Sequence, residues 1–535
     1  MTGFGAAFRL AFRRNRMFYL WWILGLSVLL PLTVTKYHDL VPPGENGQLM
    51  LAQLAGNPTM LALLGPAFDL GNAGGFTFWR VGTFTAAAVA MMAALGVIRA
   101  TRAEEEEGRV ELIRAGAMDR SVPLAAGVAL GLAACLVLGL ASALMMLAAT
   151  PGVAGAVATG LGLALTGTMF VGVAAVWAQV FPSARTSRVW SLGIVLGGLY
   201  LARAMVDASP KSATVDAWRW AMPMDWAALA RPYASERWWV FLLPVALTAV
   251  LIALAFWLES IRDLGAGLRA ATSGVATASP SLSGSAGLSW RLLRVSVIGW
   301  TVGILVTAVG MGSMSLTVVD SMFTDQPQLT EMLRKLAGGT QAIHDAFFVA
   351  MLSIVATIVT MAGVMLLSRL RSEENEGRSE VMLATSTTRW RYALSTLVPA
   401  ILLPVVLLVM TGASMPILQA MNDGSASLIG SLTKAALVLT PGIILVLGFA
   451  MLLVGWKPGW YGLVWAVIGW SMLASWVFAL FNPPDWLLKL QPWGYLPHLP
   501  SDPMRWGAFS IELGAGLVMV TLGLVGYRRR DIAGR

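Results

Sequence analysis

Long apolar runs, separated by short charged or proline-rich stretches, dominate the chain. Twelve of them come close to or exceed the ~20 residues that a helix needs to cross a bilayer. They predict spans near 17–35, 82–100, 122–149, 155–182, 189–206 and 237–257, and a second set near 295–316, 346–367, 392–414, 428–454, 461–480 and 506–527. The runs are continuous rather than alternating, which argues against a closed β-barrel, the other structure that can span a membrane. Ahead of the first span, Phe4, Phe8, Ala11 and Phe12 are interleaved with Arg9, Arg13, Arg14 and Arg16. That pattern suits a helix lying in the membrane interface, the alternative being a basic flank of the first span. Residues 264–288 are rich in Gly, Ser and Ala, the composition of a flexible tether. The expected fold is an all-α polytopic membrane protein of about 12 transmembrane helices, arranged as two parallel six-helix repeats. Residues 1–263 form one half, with its interfacial helix, 264–288 the cytoplasmic linker, and 289–535 the other half.

Composition agrees: 57% of residues are hydrophobic and 12% charged, where soluble domains carry roughly 25% charged residues. The formal net charge of +9 therefore reads as membrane topology rather than nucleic-acid binding. With the N-terminus inside, 25 of the 37 Lys and Arg residues fall on the cytoplasmic side. This predicts both termini in the cytoplasm of a multi-pass membrane protein, and six spans per half give the halves the same orientation. The one cysteine, Cys135, lies within an apolar run and has no partner for an intramolecular disulfide. No small-residue cleavage site follows the first apolar segment, so it is expected to stay as a span.

One charged string occurs twice. Arg102-Ala-Glu104-Glu105-Glu106-Glu107-Gly108-Arg109-Val-Glu111 follows the second span, and Arg371-Ser-Glu373-Glu374-Asn-Glu376-Gly377-Arg378-Ser-Glu380 follows the eighth. Arg120 and Arg389 come after them, and the matched positions lie 269 apart. Repetition in register marks a duplicated unit. If 102–117 is one helix, Glu104, Glu107, Gly108 and Glu111 share a face, as do Glu373, Glu376, Gly377 and Glu380 in the second copy. A glycine kept in both copies suggests either close approach of another surface or a break between two short helices. Arg109 and Arg378 can make planar, bidentate contacts with a partner carboxylate or carbonyl. Before the sixth span come Pro223 and Trp226, and before the twelfth Pro492 and Trp493. Such residues serve as interfacial anchors or as parts of short broken, re-entrant helices that gate a pathway. Both closing spans end in a basic-acidic step, Arg262-Asp263 and Arg530-Asp531.

Familiar catalytic signals are missing from the sequence. There is no G-x-x-x-x-G-K-[ST] phosphate cradle and no Cys/His cluster with zinc spacing. His38, His344 and His498 fall in predicted outer loops or at their edges. Asp and Glu are nearly absent from the predicted span centres, where an ion-coupled transporter would need them. An external energy source is therefore expected, and no cofactor or metal in this chain.

The charged string, followed by a short helix and an arginine, resembles the coupling-helix region of ABC-transporter exporter permeases. The resemblance is closer to the fused twelve-span exporters of polyketide antibiotics, the tetronasin-type drug exporters of actinobacteria. It rests also on Asn57-Pro58…Gly65-Pro66, on the Pro223…Trp226…Arg231-Pro232…Trp238-Trp239 loop, and on Arg262-Asp263-Leu264-Gly265-Ala266-Gly267-Leu268. It covers essentially the whole chain, although the second half lacks an obvious counterpart of Asn57-Pro58…Gly65-Pro66. The resemblance implies two copies of a cytoplasmic ABC ATPase subunit as partners, which bind ATP and Mg themselves. It also implies a lipophilic small-molecule substrate, with ATPase coupling through Glu104, Glu105, Glu107, Gly108, Arg109 and Glu111, and through Glu373, Glu374, Glu376, Gly377, Arg378 and Glu380. The substrate-binding residues remain unassigned. The rival expectation is a secondary, ion-coupled twelve-span transporter.

Overall fold

The structure is a computed structural model. It describes the chain apart from residues 1, 38–40, 42, 57, 115–117, 211, 264, 270–276, 278, 280–281, 283, 325–339, 418–420, 422–426, 477–485, 487–488, 498, 500–501 and 532–535. His38, Asn57, Ala115, Leu264, His498, Pro500 and nearly half of the expected linker thus lie outside the described residues. Among those described, every regular element is helical and none is a strand. Eleven helices are long and apolar enough to cross a membrane. At the remaining expected span, near 461–480, the described helix is Gly462–Trp476. The chain divides into two compact units, Met1–Gly274 and Val275–Arg535.

In the first unit, Phe4–Thr35 is one uninterrupted helix. Residues 4–16 are therefore continuous with the first span, as a basic flank would be, and the expectation of an interfacial helix there is corrected. No helix-breaking residue stands between Arg16 and the apolar run. At 1.5 Å per residue the helix is about 48 Å long, well beyond a ~30 Å hydrocarbon core. Its basic turns can thus stand outside the core while Ala7 packs on Val122 and Ala126 of the third span, Val122–Ala149. Tyr19 fits into the notch left by Gly96 of the second span, where a Cβ would lie 2.1 Å from its hydroxyl. The third and fourth spans meet at bare backbone. A Cβ on Gly160 would come within 2.3 Å of the Gly139 carbonyl oxygen, the small-residue contact typical of membrane helices. In the second unit, Gly448 and Gly455 of the tenth span face Gly516 and Gly523 of the last in the same way.

On the opposite side from the charged string, the first unit builds two caps. One comprises the helices Glu45–Gly56 and Pro58–Leu64, closed over a small core of Tyr37, Val41, Leu51, Leu64, Leu70, Phe76 and Trp79. The carbonyls at its end are all answered. Trp79 donates to Gly65 O at 3.0 Å, Thr83 to Leu64 O at 2.6 Å, Tyr200 to Leu63 O at 3.0 Å, and Arg203 to Ala62 O and Leu63 O. This satisfies the acceptors that a helix leaves open at its C-terminus. The other cap is broken into Ala213–Trp220, Trp226–Leu229 and the 3-10 turn Trp238–Phe241. Arg231, Tyr233 and Ser235 take left-handed φ angles between these pieces.

Candidate functional site

Both copies of the charged string end a helix on a left-handed glycine. The second span runs to Ala100, Arg102–Glu106 continues it, and Gly108 (φ 71°) turns the chain into Arg109–Arg114. In the second unit, Thr340–Asn375 passes through Gly377 (φ 72°) into Arg378–Leu383. The glycine N–H donates to Glu105 O and to Glu374 O, respectively, at 3.0 Å in each copy. A Cβ at either glycine would meet nothing within 4 Å, so the turn alone requires glycine. A side chain there would cost about 1–2 kcal/mol of backbone strain. The single face expected for Glu104, Glu107, Gly108 and Glu111, and for its counterpart, does not exist, because the helix breaks in its middle.

The break sorts the glutamates. Glu105 points inward, with its side chain 8% exposed. Arg262 grips it bidentately at 2.7 and 2.7 Å, Arg102 donates at 3.0 Å, and the Gly265 N–H at 2.7 Å. Arg262 also donates to Gln179 at 2.7 Å and to Ala266 O at 2.9 Å. These bonds fasten the chain after the sixth span, including Gly265 and Ala266, against the second and fourth spans. Glu374 repeats the arrangement more sparely: 7% exposed, it takes Arg530 at 2.5 Å. Arg120 donates to Glu259 O and Arg262 O, while Arg389 donates to Arg528 O and Arg530 O. Each half therefore closes its sixth helix onto the charged string with the same parts.

Glu104 and Glu373 are partly covered and bind the arginine beyond the glycine. Arg109 reaches Glu104 at 2.7 and 3.3 Å, and Arg378 reaches Glu373 at 2.6 and 3.2 Å. The same two arginines pair with Glu107 and Glu376. These hydrogen bonds hold the Arg378 guanidinium above its ordinary pKa, Glu373 contributing most. Glu107 and Glu376 are each 53% exposed, and Glu111 and Glu380 are exposed as well. An outward-facing set of Glu107, Arg109 and Glu111, mirrored by Glu376, Arg378 and Glu380, is what remains for an external partner.

The chain is 34% identical over 534 residues to the multidrug efflux system permease protein Rv1217c of Mycobacterium tuberculosis (strain ATCC 25618 / H37Rv), covering 99% of this chain and 95% of that protein. It belongs to that permease family. Residues 282–528 also match the family described as the multidrug efflux system permease Rv1217c, C-terminal domain.

In this permease the expected gate residues sit in packed caps. Trp226 donates to Trp220 O at 2.8 Å, next to the half-buried Pro223. Trp493, beside Pro492, is buried and donates to Leu439 O at 3.1 Å. Its indole lies over Gly442, just past the break at Leu439 between Ser427–Val438 and Thr440–Trp456. Beneath the first unit's caps lies a charge cluster that the sequence did not single out. Arg203 is fully buried, 3.5 Å from Asp207 and 3.9 Å from Asp225, and Arg219 reaches Asp207 at 2.8 Å. Burial and the neighbouring Asp207 charge push the Asp225 carboxyl well above the usual carboxylate range. Also missed was Glu512, a buried carboxylate in the last span, Trp506–Arg529, with one oxygen unpartnered. Its signal was a lone acidic residue within an apolar run.

Proposed function

We propose that this permease exports lipophilic drugs or antibiotics and draws its energy from two copies of a separate cytoplasmic ABC ATPase, one on each half. The observation that carries this reading is the outward-facing Glu-Gly-Arg-x-Glu turn, built twice on a rigid, internally bonded base. Glu107, Gly108, Arg109 and Glu111 form one contact; Glu376, Gly377, Arg378 and Glu380 form the other. Glu104 and Glu105, with Glu373 and Glu374, serve as the base that positions these contacts, because their carboxylates are occupied within the chain. ATP and Mg belong to the partner, which does the hydrolysis. On this reading both termini and both turns are cytoplasmic, in line with the excess of Lys and Arg on that side. The Pro223–Trp226 and Pro492–Trp493 caps then lie outside, where they can gate release.

A ligand drives alternation only if it binds the two conformations differently. The ATPase contacts must therefore be stiff enough to pass on the difference, and the Glu105–Arg262 and Glu374–Arg530 bonds supply that stiffness. Replacing Glu107 and Glu376 together by Lys reverses charge at both contacts without touching the base. Efflux of a fluorescent lipophilic substrate from cells should be lost while the variant still purifies as a folded, monodisperse protein. Normal efflux by that variant would refute the coupling role. An ion-coupled mechanism has one observation in its favour, the buried Glu512.

A further inference from the structure

We propose that the first half binds a phosphodiester headgroup of an inner-leaflet phospholipid that also carries a hydroxyl, as in phosphatidylglycerol, in an arginine-lined cavity beside the charged string. The cavity, of about 440 Å³, is lined by Arg14, Asn15, Arg99, Glu104, Arg109 and Arg188 together with Ala103 and Glu107. Four guanidiniums thus face two carboxylates, an excess of positive charge that calls for an anion. The two carboxylates are already engaged by Arg14 and Arg109. Arg99 makes only a cation–π contact, 5.7 Å above the Phe18 ring, and neither it nor Arg188 pairs with a carboxylate among the described residues. Both can therefore donate to phosphate oxygens.

A second, independent observation concerns Asn15. Its side chain is 98% buried (2% exposed), its amide N–H donates to Ala11 O at 2.9 Å, and its carbonyl oxygen has no donor. A buried acceptor left empty is costly, and a headgroup hydroxyl would fill it. Next to the polar cavity runs an apolar crevice lined by Ala7, Leu10, Ala11, Ala100, Val110 and Pro123, which shares Arg14, Asn15 and Glu104 with it. A polar chamber continuous with an apolar crevice fits an amphiphile better than a free phosphate ion. Nor does the second half duplicate the site: 269 positions beyond Arg99 stands Ser368, and beyond Asn15 stands Gly284. The inference does not depend on ATPase coupling.

The test is native mass spectrometry of the detergent-purified permease alone, titrated with phosphatidylglycerol, with phosphatidylcholine of the same acyl chains, and with inorganic phosphate. One phosphatidylglycerol should be retained in preference to phosphatidylcholine, and phosphate should fail to displace it. In Arg99→Gln and Arg188→Gln, retention should weaken about fivefold for each guanidinium removed. Lys457→Gln, in the other half, should leave it unchanged. Equal retention of both lipids by the native protein would overturn the proposal, whether or not the variants fold. Displacement by millimolar phosphate would overturn the lipid assignment in favour of a free-anion site.

Discussion

Glu105 and Glu107 are two positions apart, yet one is locked between two arginines and the other stands in solvent. Removing one partner of a buried, hydrogen-bonded pair leaves the other charged and dry, at a cost of about 3–5 kcal/mol. An exposed pair is worth about 0–1 kcal/mol. Glu105→Ala should therefore lower the melting temperature of the purified protein sharply and expose the 265–269 segment to protease. Glu107→Ala should do neither. Equal melting temperatures for the two variants would show that Glu105 is not part of the base. The sequence placed both residues in one coupling set because they share a string. What separates them is Arg262, 157 residues away, a pairing that no local spacing reveals. The Arg262-Asp263 and Arg530-Asp531 steps were visible as a repeat, but their glutamate partners were not.

At the scale of elements, the apolar runs were legible because a bilayer demands length and hydropathy together. The helices Val122–Ala149 and Val153–Val180 fall close to where the sequence put them. In the charged string the break between two short helices, one of the two readings its paired glycines allowed, is the one that forms, and a single left-handed glycine cancels the i, i+3, i+4 rule beyond it. The first cap was flagged only by the Asn57-Pro58…Gly65-Pro66 stretch. Its latch is Arg203, reaching in from the fifth span, whose long side chain is fully buried. Asp225 beneath that latch gives the caps a pH dependence. Its folded-state carboxyl titrates above the unfolded value of 3.8, so it favours folding in its protonated form. That contribution is fully present below the unfolded value and is lost as pH rises through the raised folded value. Asp225→Asn should therefore raise thermal stability at neutral pH and flatten its dependence on pH over that window. An unchanged pH profile would contradict this.

For the whole molecule, duplication is the organising fact. Each unit carries the same glycine turn, the same buried glutamate–arginine closure and the same arginine on the carbonyls of its closing helix. They differ where function can differ, in the Asn15–Arg99 cavity of the first and the Trp493-plugged helix break of the second. Membership of a multidrug efflux permease family sets the class of work, and on the proposed reading the two exposed turns would each dock one ATPase. The most direct measurement is the mass of the detergent-purified complex after co-expression with a candidate ABC ATPase subunit from the same organism, with ATP hydrolysis read on the same sample. The account predicts one permease with two ATPases, and hydrolysis that responds to lipophilic antibiotics. A permease that purifies alone, with transport that collapses under a proton uncoupler and with Glu512→Gln, would contradict it and transfer the energy source to an ion gradient.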